Sequence, residues 1–262
     1  MKITPKKSLG QNFLIDKNII KKIVSITEIK NKDVLEVGPG TGNLTSYILK
    51  KKPKKVIVIE KDNNLSVNLK DIFDNQIHII NKDILKIDES LLAKEKLIVF
   101  GNLPYNISTE ILSKWIISLK QGCWFDHLIL MFQKEVAERI ISKYNSSKYG
   151  RLSILANWRL NVKKITDISP QCFFPKPKIE SSLLFFSPKK NFFKLKDAHN
   201  LEKITRIFFS QRRKMIKKPF NQVFLKNSYV SNKLNINLNL RPQNLDFETY
   251  YKITDEYEKL RG

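Results

Sequence analysis

The segment Asn102-Leu-Pro-Tyr105 combines groups that could hold a planar amine and a flat ring. The exocyclic amine of a nucleobase is a poor nucleophile, because its lone pair is delocalised into the ring. Two acceptors that take its hydrogens would free that lone pair, and the Asn102 side-chain oxygen and the Pro104 carbonyl are suited to this. Proline fixes φ at about −65°, and the Tyr105 ring can stack on an extruded base. The segment predicts methyl transfer to a base amine, although a proline turn beside a buried tyrosine would contain the same residues.

This chemistry does not require a general base, and Asn102 could not act as one. The methylated amine is an acidic ammonium, which loses its proton after the transfer. The rate would come from alignment of the amine with the methyl group and from placed acceptors.

A glycine-rich turn precedes this segment in the chain and indicates where the methyl donor would bind. Glu36-Val-Gly38-Pro-Gly-Thr-Gly42 follows a strand-like run and leads into a helical one, as in the nucleotide sites of doubly wound sheets. Its spacing is not the Gly-x-Gly-x-x-Gly of dinucleotide enzymes, and no Walker sequence is present. The turn therefore favours an adenosine ligand without pyrophosphate, S-adenosylmethionine above all, although an ordinary strand-to-helix turn could look the same.

Two acidic residues end the next two predicted strands. Glu60 lies 22 residues after Gly38, a spacing at which a carboxylate can accept hydrogen bonds from both ribose hydroxyls. Asp83 ends the following strand and could accept a hydrogen bond from an adenine amino group. Each acid alone could be a helix cap or a solvated loop residue. Together they predict a ligand crevice at the carboxyl edge of a sheet.

The elements that must position these residues alternate between strands and helices. The predicted strands are Asp33–Val37, Lys55–Glu60, Ile77–Asn81, Leu97–Phe100 and Leu128–Phe132, and the helices are Leu44–Lys51, Asn64–Phe73, Thr109–Leu119 and Lys134–Ser142. Antiparallel strands are then expected at Leu152–Trp158, Val162–Ile168 and Ser182–Phe186. After a linker at Pro188, helices are expected at Leu201–Phe209, Lys214–Leu225 (broken or kinked at Pro219) and Phe247–Lys259. The pattern predicts an α/β fold, with a doubly wound, mostly parallel sheet in residues 1–188 and a small helical domain in residues 189–262.

Composition limits the class of protein. The 262 residues carry a formal net charge of +23, from 48 Lys+Arg against 25 Asp+Glu. Only 8 of the 48 are Arg, which is typical of A/T-rich coding. The charge is therefore weaker evidence for a phosphate-binding surface, which would be expected to use more Arg. Residues 163–218 still hold 15 basic against 4 acidic side chains, which indicates either a nucleic-acid surface or a solvated Lys-rich face. Two cysteines, no long apolar run and a basic amino terminus without an apolar stretch predict a cytoplasmic protein with no membrane partner and no metal.

The order of motifs along the chain resembles a known family, the ribosomal RNA adenine N6,N6-dimethyltransferases. Within it, the chain is most similar to the bacterial small-subunit enzymes of kasugamycin sensitivity. The resemblance rests on these motifs: Lys7-Ser-Leu-Gly-Gln-Asn-Phe-Leu14, Glu36–Thr45, Glu60, Asp83, Asn102–Tyr105 and Phe173-Phe-Pro-Lys-Pro-Lys-Ile-Glu-Ser181. Ile179 and Glu180 stand where Val and Asp are commoner.

The resemblance implies a Rossmann-like methyltransferase sheet with S-adenosylmethionine as donor. The residues that would contact this donor are Asn12, Leu14, Gly38, Glu60, Asp83 and Asn102. The target adenine would be held by Asn102, Pro104 and Tyr105 and capped on its other face by Phe173. The implied substrate is two adjacent adenosines in the 3′-terminal hairpin loop of 16S rRNA in pre-30S particles, each dimethylated during small-subunit biogenesis by a monomeric enzyme.

Three other functions remain open from the sequence. A related erythromycin-resistance methyltransferase would act on large-subunit RNA, but the basic helical tail and the Lys7–Leu14 motif favour the small subunit. A ribosome-assembly factor without catalysis would not need Asn102, Pro104 and Tyr105. A DNA adenine methyltransferase would usually carry Asp/Asn-Pro-Pro-Tyr in place of Asn-Leu-Pro-Tyr.

Overall fold

The structure, a computed structural model, describes residues 5–119, 122–225 and 228–261. Residues 1–4 of the basic amino terminus lie outside these ranges, as does the Lys7 side chain. The strands are β1 (Phe13–Leu14), β2 (Asp33–Val37), β3 (Lys55–Ile59), β4 (His78–Ile80), β5 (Leu97–Asn102), β6 (Phe125–Gln133), β7 (Leu160–Ile168), β8 (Phe173–Phe174) and β9 (Ser181–Pro188). The helices are α1 (Lys17–Val24), α2 (Asn43–Lys50), α3 (Asn63–Phe73), α4 (Ser108–Ile117), α5 (Lys134–Ile140), α6 (Arg151–Arg159), α7 (Ala198–Phe209), α8 (Lys217–Phe224), α9 (Ser228–Lys233) and α10 (Phe247–Lys259).

Seven strands form the main sheet in the order β4-β3-β2-β5-β6-β9-β7. The five strands from β4 to β6 are parallel, and β9 pairs antiparallel with β6. The predicted doubly wound, mostly parallel sheet is therefore confirmed. Because β2 lies between β3 and β5, the strand order reverses at β2, and a crevice at the carboxyl ends of these strands is the usual ligand position.

The central strands are buried along nearly their whole length because helices cover both faces of the sheet. In β3, Val56, Ile57, Val58 and Ile59 are each at most 3% exposed. Alternate residues of one strand face opposite sides, so burial of four in a row requires packing on both sides. This rigid sheet fixes the positions of the loops at its carboxyl edge.

One predicted strand is wrong: Leu152–Trp158 lies within helix α6. Six of the nine residues of this helix are buried, including Ser153 and Arg159, so its sequence shows no amphipathic period. A short, continuous apolar run cannot be assigned to a strand or a buried helix by periodicity. The expected break at Pro219 is also corrected, because α8 begins at Lys217 and places Pro219 in its first turn, where proline is tolerated.

The chain forms two compact units. The first comprises Met1–Lys114, Leu119–Ala137 and Lys163–Pro188, and the second comprises Trp115–Ser118, Glu138–Val162 and Lys189–Gly262. The assignment of separate functions to residues 1–188 and 189–262 stays a prediction. In the described ranges, no helix is both long and apolar enough to cross a bilayer.

The second unit has an aromatic core of its own. The Phe208 ring lies edge-on to Tyr250 and Phe220, with centroids 5.7 and 6.4 Å away. The Tyr250 hydroxyl donates to the Pro242 carbonyl at 2.8 Å, so this phenol is buried with its polar end satisfied. Aromatic burial of this kind lets a small helical unit hold a defined shape.

Candidate active site

A cleft of about 220 Å³ lies in the first unit, at the carboxyl edge of the sheet. Seven of the nine predicted site residues line it: Asn12, Gly38, Glu60, Asp83, Asn102, Pro104 and Tyr105. They come from the amino-terminal segment and from the loops that follow four strands. The structure thus brings together side chains that the sequence separates by more than 90 residues.

The glycine turn forms the floor of the cleft beside the amino-terminal segment. Gly40 has a φ of 59°, and a Cβ built on it would lie 2.7 Å from Cδ1 of Phe13. A side chain at residue 40 would therefore be strained and would displace Phe13. The glycine allows the segment around Phe13 to lie directly on the turn.

Glu60 is buried beside the cleft with its carboxylate oriented by the backbone. Oε2 accepts a hydrogen bond from the Gly40 amide at 3.2 Å, and Oε1 accepts one from the Asp62 amide at 2.9 Å. Burial raises the pKa of Glu60, an effect that these amide hydrogen bonds partly offset. Each oxygen keeps further acceptor capacity, which suits the carboxylate to paired hydroxyl groups.

Asp83 is half-buried at the rim of the same cleft. Its Oδ2 accepts a hydrogen bond from Lys61 Nζ at 2.8 Å and its Oδ1 accepts one from the Leu85 amide at 3.1 Å. The Lys61 ammonium holds the pKa of this carboxyl below its usual range. Asp83 is therefore a carboxylate at neutral pH and can accept a hydrogen bond from an amino group.

The Asn102 side chain is fixed by the amino-terminal segment. Its Nδ2 donates to the Asn12 carbonyl at 2.7 Å, which leaves Oδ1 as the acceptor end of the amide. The Pro104 carbonyl already accepts hydrogen bonds from the Ile107 and Ser108 amides, at 3.1 and 3.0 Å, where α4 begins. The expected acceptor role of Pro104 stays a prediction, and it requires this oxygen to release or share one of these bonds.

Tyr105 lines the cleft. Its hydroxyl, at the far end of the ring, forms a hydrogen bond with Ser181. The phenolic oxygen lies 2.6 Å from Ser181 Oγ. Burial raises the pKa of Tyr105, and the Ser181 contact lowers it by less. The phenol therefore keeps its proton at neutral pH, which fits a stacking role for the ring.

Leu14 and Phe173 do not line the main cleft. Leu14 borders a small adjoining cavity that also touches Gly38 and Asn102. Phe173 pairs with Leu14 between strands β8 and β1 and packs in the hydrophobic core, 3% exposed. The exposed ring is that of Phe174, at 56%. In this structure the Phe173 ring packs in the core beside the β1–β8 pairing, and its expected capping of a base stays a prediction.

Asp62 is a residue of this site that the sequence analysis missed. Its carboxylate accepts hydrogen bonds from Lys6 Nζ at 2.8 Å and Gln11 Nε2 at 2.9 Å, and it caps α3 through the Asn64 amide. Burial would raise the pKa of Asp62, but these contacts outweigh it and lower the pKa. The available signal was an aspartate at an N-cap position two residues after Glu60.

The amino-terminal arm, residues 6–14, therefore covers one side of the cleft. The Lys6 ammonium forms an ion pair with Asp62, and the arm residues from Ser8 to Phe13 line the cleft. Its contacts with Asp62 hold the start of the arm in place. Any phosphate contact of Lys6 would compete with the ion pair to Asp62.

Glu36 is the most deeply buried acid near the glycine turn. It is 2% exposed, and its Oε2 accepts a hydrogen bond from Thr45 Oγ1 at 2.6 Å. Burial raises the pKa of Glu36 to about 8, although the Thr45 bond opposes the shift. At neutral pH this carboxyl is largely protonated and fixes α2 against β2 as a neutral group.

In the second unit, the basic segment Gln211–Lys214 divides into two roles. The Arg212 guanidinium donates to the carbonyls of Ser146 and Ser147 and so holds the loop between α5 and α6. Arg213 and Lys214 are exposed. Within this segment the Arg212 side chain is therefore structural, and Arg213 and Lys214 present their charge to solvent.

Comparisons with known proteins match the chain over nearly its whole length. A family model described as ribosomal RNA adenine dimethylase covers residues 3–259. The ribosomal RNA small subunit methyltransferase A of Pelagibacter ubique is 68% identical over 262 residues, which is 100% of both chains. That of a Wolbachia strain from Drosophila simulans is 40% identical and covers 98% of this chain and 95% of its own.

Solved structures show the same architecture. A dimethyladenosine transferase from Plasmodium falciparum superposes with a TM-score of 0.77 at 28% identity, over 94% of this chain and 98% of its own. The 23S rRNA methyltransferase ErmE superposes with a TM-score of 0.67 at 19% identity, over 94% of this chain and 100% of its own. The second comparison concerns the fold alone.

Proposed function

This chain belongs to the ribosomal RNA adenine dimethylase family, and on that premise we propose its substrate and the roles of its site residues. It is an S-adenosylmethionine-dependent methyltransferase that dimethylates adenine in 16S ribosomal RNA. The proposed targets are two adjacent adenosines in the 3′-terminal hairpin loop. The proposed setting is the pre-30S particle in the cytoplasm, with the enzyme acting as a monomer during small-subunit biogenesis.

The cleft has the donor and acceptor groups that an adenosine ligand needs. Glu60 offers an oriented carboxylate to the two ribose hydroxyls, and Asp83 lies at the rim as an acceptor for the adenine amino group. Gly38 and Asn12 complete the wall nearest Asn102. Bound there, S-adenosylmethionine supplies an electrophilic methyl group on a sulfonium.

The chain's own residues would prepare the target amine. Asn102 Oδ1 accepts one hydrogen of the adenine N6 amine, and its Nδ2 is held by Asn12, so the amide cannot rotate to present a donor. The Tyr105 ring stacks on the base and fixes its plane. The N6 lone pair attacks the methyl carbon while the carbon–sulfur bond breaks, and the resulting ammonium later releases its proton to water. Alignment and placed acceptors account for the rate.

The observation that carries this proposal is the convergence of Glu60, Asp83 and Asn102 on one cleft in a chain of this family. The test is incubation of the protein with labelled S-adenosylmethionine and separately purified small and large subunits that lack the modification. We expect label in 16S RNA only, at two adjacent adenosines. Label confined to 23S RNA would contradict the proposed substrate.

A second experiment uses a variant to separate catalysis from particle binding. Asn102→Ala should still bind small-subunit particles but lose most methyl transfer, because the acceptor for the amine is removed. Mass spectrometry of 16S RNA from cells that carry this variant should show unmodified adenosines. Full transfer by Asn102→Ala would refute the role of the amide and favour a protein whose main function is particle binding.

A further inference from the structure

We propose that Ser181 is a positioning residue that fixes the plane of the Tyr105 ring, an inference that rests on the proposed stacking role of Tyr105. Ser181 is the last residue of the segment that begins at Phe173. It lies 76 residues from Tyr105 in the chain, yet their oxygens are 2.6 Å apart. The end of this late segment therefore contacts Tyr105, which lines the cleft that the early motifs form.

The sheet explains how Ser181 reaches this position. Because β9 runs antiparallel to β6, its amino-terminal end lies at the edge where the parallel strands have their carboxyl ends. Ser181 begins β9 opposite Gln133, and the Lys134 amide donates to the Glu180 carbonyl at 2.9 Å. Ser181 is fully buried. Its hydroxyl is thus held by a strand ladder and not by a mobile loop.

Tyr105, in contrast, lies in the short connection between β5 and α4. Two side-chain torsions decide where its ring points and how the ring plane is turned. A hydrogen bond at the para position fixes the far end of the ring and therefore restricts both torsions. Base stacking depends on that plane, so Ser181 would set the angle at which the target base is accepted.

The adjacent Ser182 supplies a matched control. It is fully buried on the same strand, but it faces the opposite side of the sheet, as successive strand residues do. Its hydroxyl donates to Asp167 Oδ1 at 2.6 Å. Ser182→Ala therefore removes the same group from the same strand without touching Tyr105.

The kinetic test is a double-mutant cycle with small subunits as substrate. Ser181→Ala and Tyr105→Phe should each lower kcat about fivefold, the change that corresponds to one neutral hydrogen bond of about 1 kcal/mol. The double variant should be no slower than either single one, because both remove the same bond. Ser181→Thr should restore kcat, Ser182→Ala should keep it, and the Kd for S-adenosylmethionine should not change in any of them. Tyr105→Ala should be slower than all of these, because it also removes the ring.

Several outcomes would overturn the inference. Losses that multiply in the double variant, or an equal loss in Ser182→Ala, would mean that Ser181 acts through the fold and not through Tyr105. The bond is also testable without activity, by NMR of protein labelled with 13C at tyrosine Cζ. Ser181→Ala should shift the Tyr105 resonance, assigned by its loss in Tyr105→Phe, and Ser182→Ala should not; an unmoved resonance would refute the contact. If the wild-type protein failed to methylate small subunits, the proposed function would fall while the NMR result still decided the bond.

Discussion

Backbone groups orient the two side chains on which the proposed chemistry depends most. The Glu60 carboxylate is held by two amides, and the Asn102 amide is held by one carbonyl. These intramolecular hydrogen bonds fix the orientation of both side chains. Acceptors that are already oriented need no reorganisation during the reaction, whereas water molecules would have to reorient.

Glu60 tests the cofactor site most directly. Glu60→Gln keeps the size of the side chain but replaces one charged acceptor by an amide donor, and Glu60→Ala removes both acceptors. We expect both variants to weaken S-adenosylmethionine binding by roughly tenfold or more, because charge-assisted hydrogen bonds to the ribose are lost. Isothermal titration calorimetry measures this, with Glu95→Gln, an exposed acid paired with Lys54, as control. An unchanged Kd in Glu60→Ala would exclude the ribose contact.

Glu36 predicts a pH dependence of stability. Its pKa is about 8 in the folded protein and 4.5 as the ordinary value, so between these pH values the folded state binds more protons than the unfolded state. Stability therefore falls as pH rises from about 4.5 to about 8 and levels off above that, where the carboxyl is ionised in both states. Glu36→Gln stays neutral and should show a smaller loss of Tm between pH 5 and pH 8.5 than the wild type. Parallel Tm curves for the two proteins, measured by calorimetry over that range, would contradict this.

At the scale of elements, the amino-terminal arm and the loop before α3 form one closed side of the cleft. Their connection is concentrated in Asp62, which binds Lys6 and Gln11 while it caps the helix. These two side-chain contacts hold Lys6 and Gln11 against the loop before α3.

Asp62→Asn should loosen the arm. The asparagine oxygen can still cap α3, but the charge that binds Lys6 is gone and the new NH2 group opposes the Gln11 donor. We expect faster trypsin cleavage after Lys6 and a severalfold weaker affinity for S-adenosylmethionine. Asp71→Ala, which removes an exposed acid from the same helix, should leave both unchanged. Equal cleavage rates in Asp62→Asn and the wild type would show that Asp62 does not hold the arm.

The same elements show what sequence reasoning could and could not supply. The strands with continuous β-branched runs and the acids that follow them were predictable, because burial on both faces and the carboxyl-edge rule leave clear patterns. Helix α6 was not, because a helix buried on all sides has no period to detect. The Asp62 and Ser181 contacts join residues 56 and 76 positions apart, and no local pattern specifies such pairs. The capping role of Phe173 rests on its motif and stays a prediction, because its ring packs in the core beside the β1–β8 pairing.

For the whole molecule, the question is how much of the +23 charge contacts RNA. Many lysines form ion pairs within the chain, such as Lys134 with Glu180 and Lys233 with Glu256. A lysine ammonium in such an ion pair is less available to contact a phosphate. Exposed basic residues such as Arg213 should account for most of the attraction to ribosomal RNA.

RNA affinity should therefore fall steeply with salt. A plot of log K against log salt should be linear, and Arg213→Ala should reduce its slope by about 1 if that side chain contacts one phosphate. Arg212→Ala should instead lower the Tm and leave the slope nearly unchanged, because its guanidinium holds the Ser146–Ser147 carbonyls. Filter binding between 50 and 300 mM salt, roughly the range in which counterion release is measured, checks both. A flat response of the wild type would mean that the charge reflects coding bias.

The order β6-β9-β7 has a consequence for how the chain is made. Strand β9 separates β6 from β7, although β7 is synthesised before β9. A nascent chain that has emerged only as far as residue 170 has the five parallel strands available but no neighbour in this sheet on which β7 can pair. We expect ribosome-stalled chains to protect β7 from proteases only after Pro188 has left the exit tunnel. The last step of sheet assembly and the arrival of Ser181 beside Tyr105 would then be a single event.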